Sequence, residues 1–213
     1  MNFLTLDKKG LYLALLFGAL LLIFGRSEGI FFLTQLFLFL LLSAIVTRLG
    51  KGEKEYLKIY ERSRGIKNVI SNGILPVAIA ILHYFQPSTL LLVAYSGSVA
   101  AITADKFASE VGVLDPNPRD ILTMRKVKPG TSGGISALGT FSSLLGSMLI
   151  SITFLYISDS FKAFAIVAVS GFFGSIVDSL VGHSEEKGKG NKYLTNFFCS
   201  LAGAIVAALL FLY

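Results

Sequence analysis

The sequence predicts an all-α polytopic integral membrane protein of about seven transmembrane helices, with its N-terminus in the cytoplasm. Three observations predict it. Of 213 residues 54% are hydrophobic and only 15% charged, whereas a soluble chain carries roughly a quarter charged residues. The apolar residues gather into runs close to the length of about twenty that a hydrocarbon core of about 30 Å demands of a helix. The basic residues fall almost entirely on one side of the chain traced through those runs.

The first run, 11–25, is the shortest, rising only about 22 Å at about 1.5 Å per residue. Lys8 and Lys9 before it resemble the start of a signal peptide, but the GRSEG that follows lacks a small-x-small cleavage pattern, so the run is read as a span. The second span covers 30–49, and the third, 69–84, is opened by Asn68 and Asn72. The fourth, 89–104, ends at Asp105; the fifth, 133–157, follows a glycine-rich stretch from Lys128 to Gly134. The sixth, 161–181, carries Asp178, and the seventh, 194–213, is opened by Asn191 and Asn196. Alternation puts the N-terminus and the loops at about 50–68, 105–132 and 182–193 on one face. Counted from Arg48, that face holds 17 of the 19 Lys and Arg, and the other holds Arg26 and Lys162 alone. Positive charge marks the cytoplasmic side. No repeat or linker divides residues 1–213, which are expected to form a single integral membrane domain in the cell membrane.

Composition also excludes. One cysteine, Cys199, rules out a disulfide framework and a thiolate zinc site, so any metal is held by oxygen. A net charge of +6 suits cytoplasmic loops and anionic headgroups better than nucleic acid in so apolar a chain. The segment from Lys51 to Lys67 is amphipathic at helical spacing through Tyr56, Leu57 and Tyr60, which predicts an interfacial helix; the alternative is that Arg62, Arg64 or Lys67 reaches a phosphate.

Carboxylates in membrane helices are costly and therefore mark function. Asp105, Glu110 and Asp178 qualify, Asp105 and Asp178 amid small residues that let helices approach closely: Gly97, Ala101 and Ala108 on one helix, Gly171, Gly174 and Gly182 on the other. Glu110 stands five residues from Asp105, about 140° away on an ideal helix, so either the helix ends first or the two acids serve different roles. Gly130, Thr131, Ser132, Gly133 and Gly134 before the fifth span either cradle phosphate with backbone N–H groups or simply cap a helix with Thr131 or Ser132. The Walker A order is absent. With Arg119, Arg125, Lys126 and Lys128 in the same loop, and Asn72 and Asn196 on the same face, the set describes a Mg²⁺-nucleotide site.

Three blocks resemble a known family: Ala104-Asp105-Lys106-Phe107-Ala108-Ser109-Glu110 with Pro118-Arg119, Ile121 and Thr123; Gly130-Thr131-Ser132-Gly133-Gly134-Ile135-Ser136; and Gly171 to Gly182 around Asp178, with Asn72-Gly73 and Asn196-Phe197 flanking them. They are similar to the membrane family that includes plant phytyl-phosphate kinase, a distant relative of phytol kinase, dolichol kinase and the CTP-using lipid cytidylyltransferases. The chain departs from it at Lys106-Phe107, where relatives tend to carry a small polar residue and Trp. The resemblance implies transfer of a phosphoryl group from CTP to a membrane-embedded prenyl monophosphate, giving the diphosphate. In that reading Asp105, Glu110 and Asp178 hold Mg²⁺, and Asn72, Arg119, Thr123, Arg125, Lys128, Gly130 to Gly134 and Asn196 hold the nucleotide. Two alternatives stay open: a CTP-dependent lipid-phosphate cytidylyltransferase, and a small transporter. A homo-oligomer is also left open. An ionised acceptor needs no strong base, in keeping with two histidines, His83 on the far face and His183 in a loop.

Overall fold

A computed structural model describes residues 4–213, with the side chains of 157 and 158 outside that description. Seven long helices dominate it: α1 (Lys8–Phe24), α2 (Gly29–Arg48), α4 (Ile66–Phe85), α5 (Thr89–Gly112), α6 (Ala137–Ser158), α7 (Phe161–Glu186) and α8 (Lys192–Leu212), with a short α3 (Lys51–Tyr56) after α2. Six are long and apolar enough to cross a membrane. The seventh is α1, 17 residues long, the span the sequence also makes shortest. The protein is an all-α polytopic membrane protein.

The helix starts follow from local chemistry. A side-chain oxygen accepting from the first-turn N–H groups is the standard device for opening a helix. Asp7, Ser88, Ser136, Ser160 and Asn191 each provide it, for α1, α5, α6, α7 and α8.

Three boundaries differ from expectation, and each difference matters for the site. The fifth span opens at Ala137, capped by Ser136 and not by Thr131 or Ser132, because Gly134–Ile135 (β2) pairs antiparallel with Arg119–Asp120 (β1) just before it. Helix α5 continues through Gly112 and α7 through Glu186, so Asp105 and Asp178 lie about two turns inside their helices. The segment 51–67 is not one interfacial helix: α3 ends at Tyr56, and the chain then turns back so that Arg64 pairs with Leu6 beside the start of α1. The reason is electrostatic. Lys54 and Arg64, which the amphipathic reading leaves at the interface, are drawn inward to a buried carboxylate described below.

Helix α5 is the axis of the bundle, packed on α2, α4, α6, α7 and α8. Its approach to α7 and α8 is fixed by residues without side-chain bulk. A Cβ on Gly171 would meet Ala100 at 2.7 Å; one on Gly174 would meet Ala101 at 2.4 Å and the Cys199 carbonyl at 2.8 Å; one on Gly203 would meet the Gly97 carbonyl at 2.4 Å. Small residues at such contacts let backbones touch. Mid-bundle polar side chains are satisfied across helices: Gln35 donates to Thr153 at 2.6 Å and accepts from Ser96 at 2.9 Å, and the Tyr95 hydroxyl donates to the Phe32 carbonyl at 2.6 Å.

Candidate active site

The contact of Ala101 with Gly174 sets what lies one turn further along both helices. That next turn brings Asp105 and Asp178 together, within hydrogen-bonding reach of one another. Two carboxylates side by side repel when both are ionised. The groups that relieve them are few: Lys106 and Lys192 act on both or one of the pair at Coulombic range, and Glu185 adds a further negative charge near Asp178. Oδ1 of Asp178 is buried with no hydrogen-bond partner among the described residues. A buried polar oxygen left unpaired costs free energy, so an unpaired one calls for a ligand or another cause.

The pair opens on a cleft of about 730 Å³ at one end of the bundle. Its walls include, besides the two aspartates, Lys106 and Glu110 from α5, Lys128 and Gly130 to Gly134 from the loop, Ser136 and Ser143 from the loop and α6, Glu185 from α7, and Lys192 and Asn196 from α8. Of the residues singled out from the sequence, Asp105, Glu110, Asp178, Lys128, Gly130, Thr131, Ser132, Gly133, Gly134 and Asn196 therefore share one cavity.

Four others do not line it. Asn72 faces a small apolar pocket between α1, α2 and α4, its amide donating to the Asn68 carbonyl at 2.8 Å. Arg119 is exposed and donates to the Met124 carbonyl at 3.2 Å. Thr123 spends its N–H and hydroxyl on Asp120, at 2.7 and 2.8 Å, and Arg125 is exposed on the outer side of the same turn. Arg119, Thr123 and Arg125 belong to the loop's own turn, and Asn72 to α4, instead of facing the cleft.

Glu110 lines the cleft, but its carboxylate is taken. It receives Lys54 at 2.8 Å, Arg64 at 3.1 Å, Lys106 at 2.6 Å and the Thr47 hydroxyl at 2.9 Å. Because α5 does not end before it, Glu110 and Asp105 point different ways, and among the described residues no three carboxylate, histidine or cysteine groups converge as a metal cage. Lys54 is 1% exposed; its ammonium also donates to the carbonyls of Val46 and Thr47, closing the last turn of α2. Arg64 bonds Thr47 as well, and burial pulls its pKa below the usual guanidinium value against the opposing effect of Glu110 and Glu61.

The glycine-rich loop is fastened to α7. Gly133 has φ +78°, and a Cβ there would meet the backbone N of His183 at 2.7 Å, so glycine is required twice over at this position. The Ser132 N–H donates to the Glu186 carboxylate at 2.8 Å, which shows that a loop amide accepts an anion. His183 is not a loop residue: it is buried on α7, where it pairs with Asp120. The His183 contact and the Thr123 bonds hold the Asp120 carboxyl well below the usual carboxylate range. Lys54, Thr47, Asp120 and His183 escape the sequence reading because their partners are distant in the chain. The one available signal is the Asp120-x-x-Thr123 spacing of a side-chain-capped turn.

The metal fit can be tested on these atoms. A pair of carboxylates, one with a partnerless buried oxygen, opening on a cleft walled by lysines and the glycine-rich loop suits Mg²⁺, which takes one or two carboxylates and completes its shell with water and substrate phosphate.

The chain is similar to proteins from archaea, plants and cyanobacteria. An uncharacterised membrane protein of Methanocaldococcus jannaschii is 35% identical over 208 residues, covering 97% of this chain and 86% of that one. Protein PGR of Arabidopsis thaliana is 27% identical, covering 78% of this chain and 68% of its own. Protein VTE6, chloroplastic, from the same plant is 25% identical across 96% of this chain, which spans 65% of its length. No solved structure matches. The profile of the family described as integral membrane protein DUF92 matches residues 2–196, and the chain belongs to that family.

Proposed function

We propose that the chain is a CTP-dependent kinase that phosphorylates a membrane-embedded prenyl monophosphate, phytyl or a similar isoprenoid, to the diphosphate at the cytoplasmic face. The observation that carries the reading is the Asp105–Asp178 pair, with its partnerless Asp178 Oδ1, set in the cleft that the glycine-rich loop also walls. CTP as the donor and an isoprenoid as the acceptor come from the motif resemblance.

Phosphoryl transfer asks a protein mainly to position two phosphates and to neutralise charge. Asp105 and Asp178 would hold Mg²⁺, and the ion would supply neutralisation of the phosphates' charge. Lys128 and the Ser132 N–H receive the donor's phosphates, displacing the exposed Glu186, while the N–H groups of Thr131 and Gly134 stay bonded within the loop and hold its shape. An oxygen of the acceptor phosphate forms the new bond to the γ phosphorus; the bond from that phosphorus to the β–γ bridging oxygen breaks, and CDP leaves with the electron pair. The acceptor is already ionised, so no base is needed, and His183 is free to serve as a strut for Asp120.

The test is isotopic. Purified protein with Mg²⁺ and farnesyl or phytyl monophosphate is expected to move label from γ-labelled CTP into the lipid. Label arriving from the α position instead would identify a cytidylyltransferase, and label from neither would overturn the reading.

A further inference from the structure

Three cations share one carboxylate on the α5 wall of the cleft. Lys54, Arg64 and Lys106 all meet Glu110, leaving a surplus of two positive charges. Glu61 pairs with Arg64 at 3.6 Å but also with Lys192 at 3.8 Å, so including both adds one negative and one positive charge and leaves the surplus at two. Asp105 is the other carboxylate within Coulombic range of Lys106, and in the proposed function its charge and that of Asp178 are matched by the divalent ion. Charges held out of water need partners. A phosphomonoester dianion supplies the two that are missing.

The three cations are not equivalent. Lys54 has its three donors committed to Val46, Thr47 and Glu110, and Arg64, buried against Thr47 and Glu110, lines the small pocket between α1, α2 and α4 and not the cleft, so neither reaches a ligand there. Lys106 lines the cleft, and its one ion pair among the described residues is to Glu110, one helical turn along the same face. That arrangement presents an ammonium with remaining donors beside Asp105. On the far side of the aspartate pair, Gly182, one turn beyond Asp178, packs against the backbone of Gly133. The pair thus lies between two anion-receptive walls, as transfer between two phosphates requires.

The walls differ in depth. Lys128 is exposed in a loop outside the helices, whereas Lys106 is 14% exposed and inside a membrane-spanning helix. A water-borne nucleotide meets the outer wall, and a phosphate anchored by a lipid chain reaches the inner one. We propose that Lys106, oriented by Glu110 and its two buried cations, is the anchor for the phosphate of the lipid acceptor, separate from the glycine-rich loop. This rests on the kinase reading but is tested by binding as well as turnover.

The full chain in detergent would be titrated by thermal shift with farnesyl monophosphate, farnesol, inorganic phosphate and CTP. The wild type is expected to bind farnesyl monophosphate without nucleotide and to ignore farnesol. Lys106→Gln is expected to weaken that binding by about tenfold or more, the effect of one charge-assisted hydrogen bond, with CTP affinity unchanged; Lys106→Arg should restore it. Inorganic phosphate should compete with the lipid in the wild type, which places the recognition in the phosphate; failure to compete overturns the assignment. So does a Lys106→Gln protein that binds the lipid normally or loses CTP to the same degree. Lipid binding through Lys106 without γ-label transfer would remove the kinase reading and leave the subsite. Label transfer with an acceptor KM indifferent to Lys106→Gln would do the reverse.

Discussion

Asp105 and Glu110 sit five residues apart on one helix in opposite electrostatic circumstances. Glu110 has three cations and a hydroxyl on its two oxygens, while Asp105 is set against a second carboxylate whose Oδ1 has no partner. The helix turn between them separates two jobs. A saturated carboxylate holds structure together; one kept short of partners is held ready for something that arrives. In the proposed function the metal goes to the aspartates, and Glu110 acts as a positioning residue.

The comparison breaks most visibly in turnover. Asp105→Asn or Asp178→Asn should reduce γ-phosphoryl transfer by about 10³-fold, the scale at which a preorganised charge-stabilising group acts. Melting temperature in metal-free detergent should not fall, because a repulsive pair is removed. A loss of stability without loss of turnover would exchange the two regions' roles.

Glu110→Gln should show the mirror image. Neutralising the carboxylate that Lys54, Arg64 and Lys106 share leaves Lys54 and Lys106 without an ion pair among the described residues, at a cost of about 3 kcal/mol. Thermal melting should report it, and the loss should shrink if Lys54→Met is combined with it. Melting equal to wild type would mean that the cluster is not holding α2, α5 and the 57–65 segment together.

Gly174→Ala sharpens the geometry beneath both. A Cβ there would meet Ala101 at 2.4 Å, well inside the carbon–carbon contact distance of about 3.5 Å, so α5 and α7 must part by about 1 Å, with overpacking costing about 1–3 kcal/mol. Separating the helices also separates Asp105 from Asp178, so divalent-ion affinity should fall together with the melting temperature. A drop in melting temperature alone would show that the pair tolerates the spacing.

The smallest effect concerns the loop. Folding lowers the Asp120 pKa, so the ionised form is favoured in the folded state and its contribution is fully present above the unfolded value of about 4. It is lost as pH falls from there through the lower folded value. The protection of amides across 121–135, taken relative to the intrinsic exchange rate at each pH, should therefore fall below about pH 4 in the wild type. In Asp120→Asn that protection should be low already and insensitive to that range.

What was legible in the sequence follows from what is expensive in lipid. The spans, Asn191 at the start of the last of them, and the two aspartates stand out because an apolar chain carries few groups of that kind, whereas the cap of the fifth span does not: Thr131 and Ser132 offer the same chemistry as Ser136, and only the β1–β2 pairing puts the helix start at the latter. The bundle's small-residue seams were legible too, as glycines at helical spacing around Asp105 and Asp178. The cage around Glu110 was not, because Lys54 and Arg64 lie 56 and 46 residues away and reach it only when the chain after α3 turns back. The same holds for His183, 63 residues from Asp120, and for the difference between Lys128 facing the cleft and Arg125 facing outward within one loop. Side-chain direction within irregular backbone has no periodicity to read.

The central claim is that the aspartate pair, with its partnerless Asp178 Oδ1, binds a divalent cation and the saturated glutamate does not. Manganese titration of the purified chain followed by electron paramagnetic resonance tests it without substrate or turnover. The account predicts one bound Mn²⁺ in the wild type and in Glu110→Gln, measured below its melting temperature, and none in the Asp105→Asn, Asp178→Asn double variant. A double variant that still binds Mn²⁺, or a Glu110→Gln protein that does not, would contradict it.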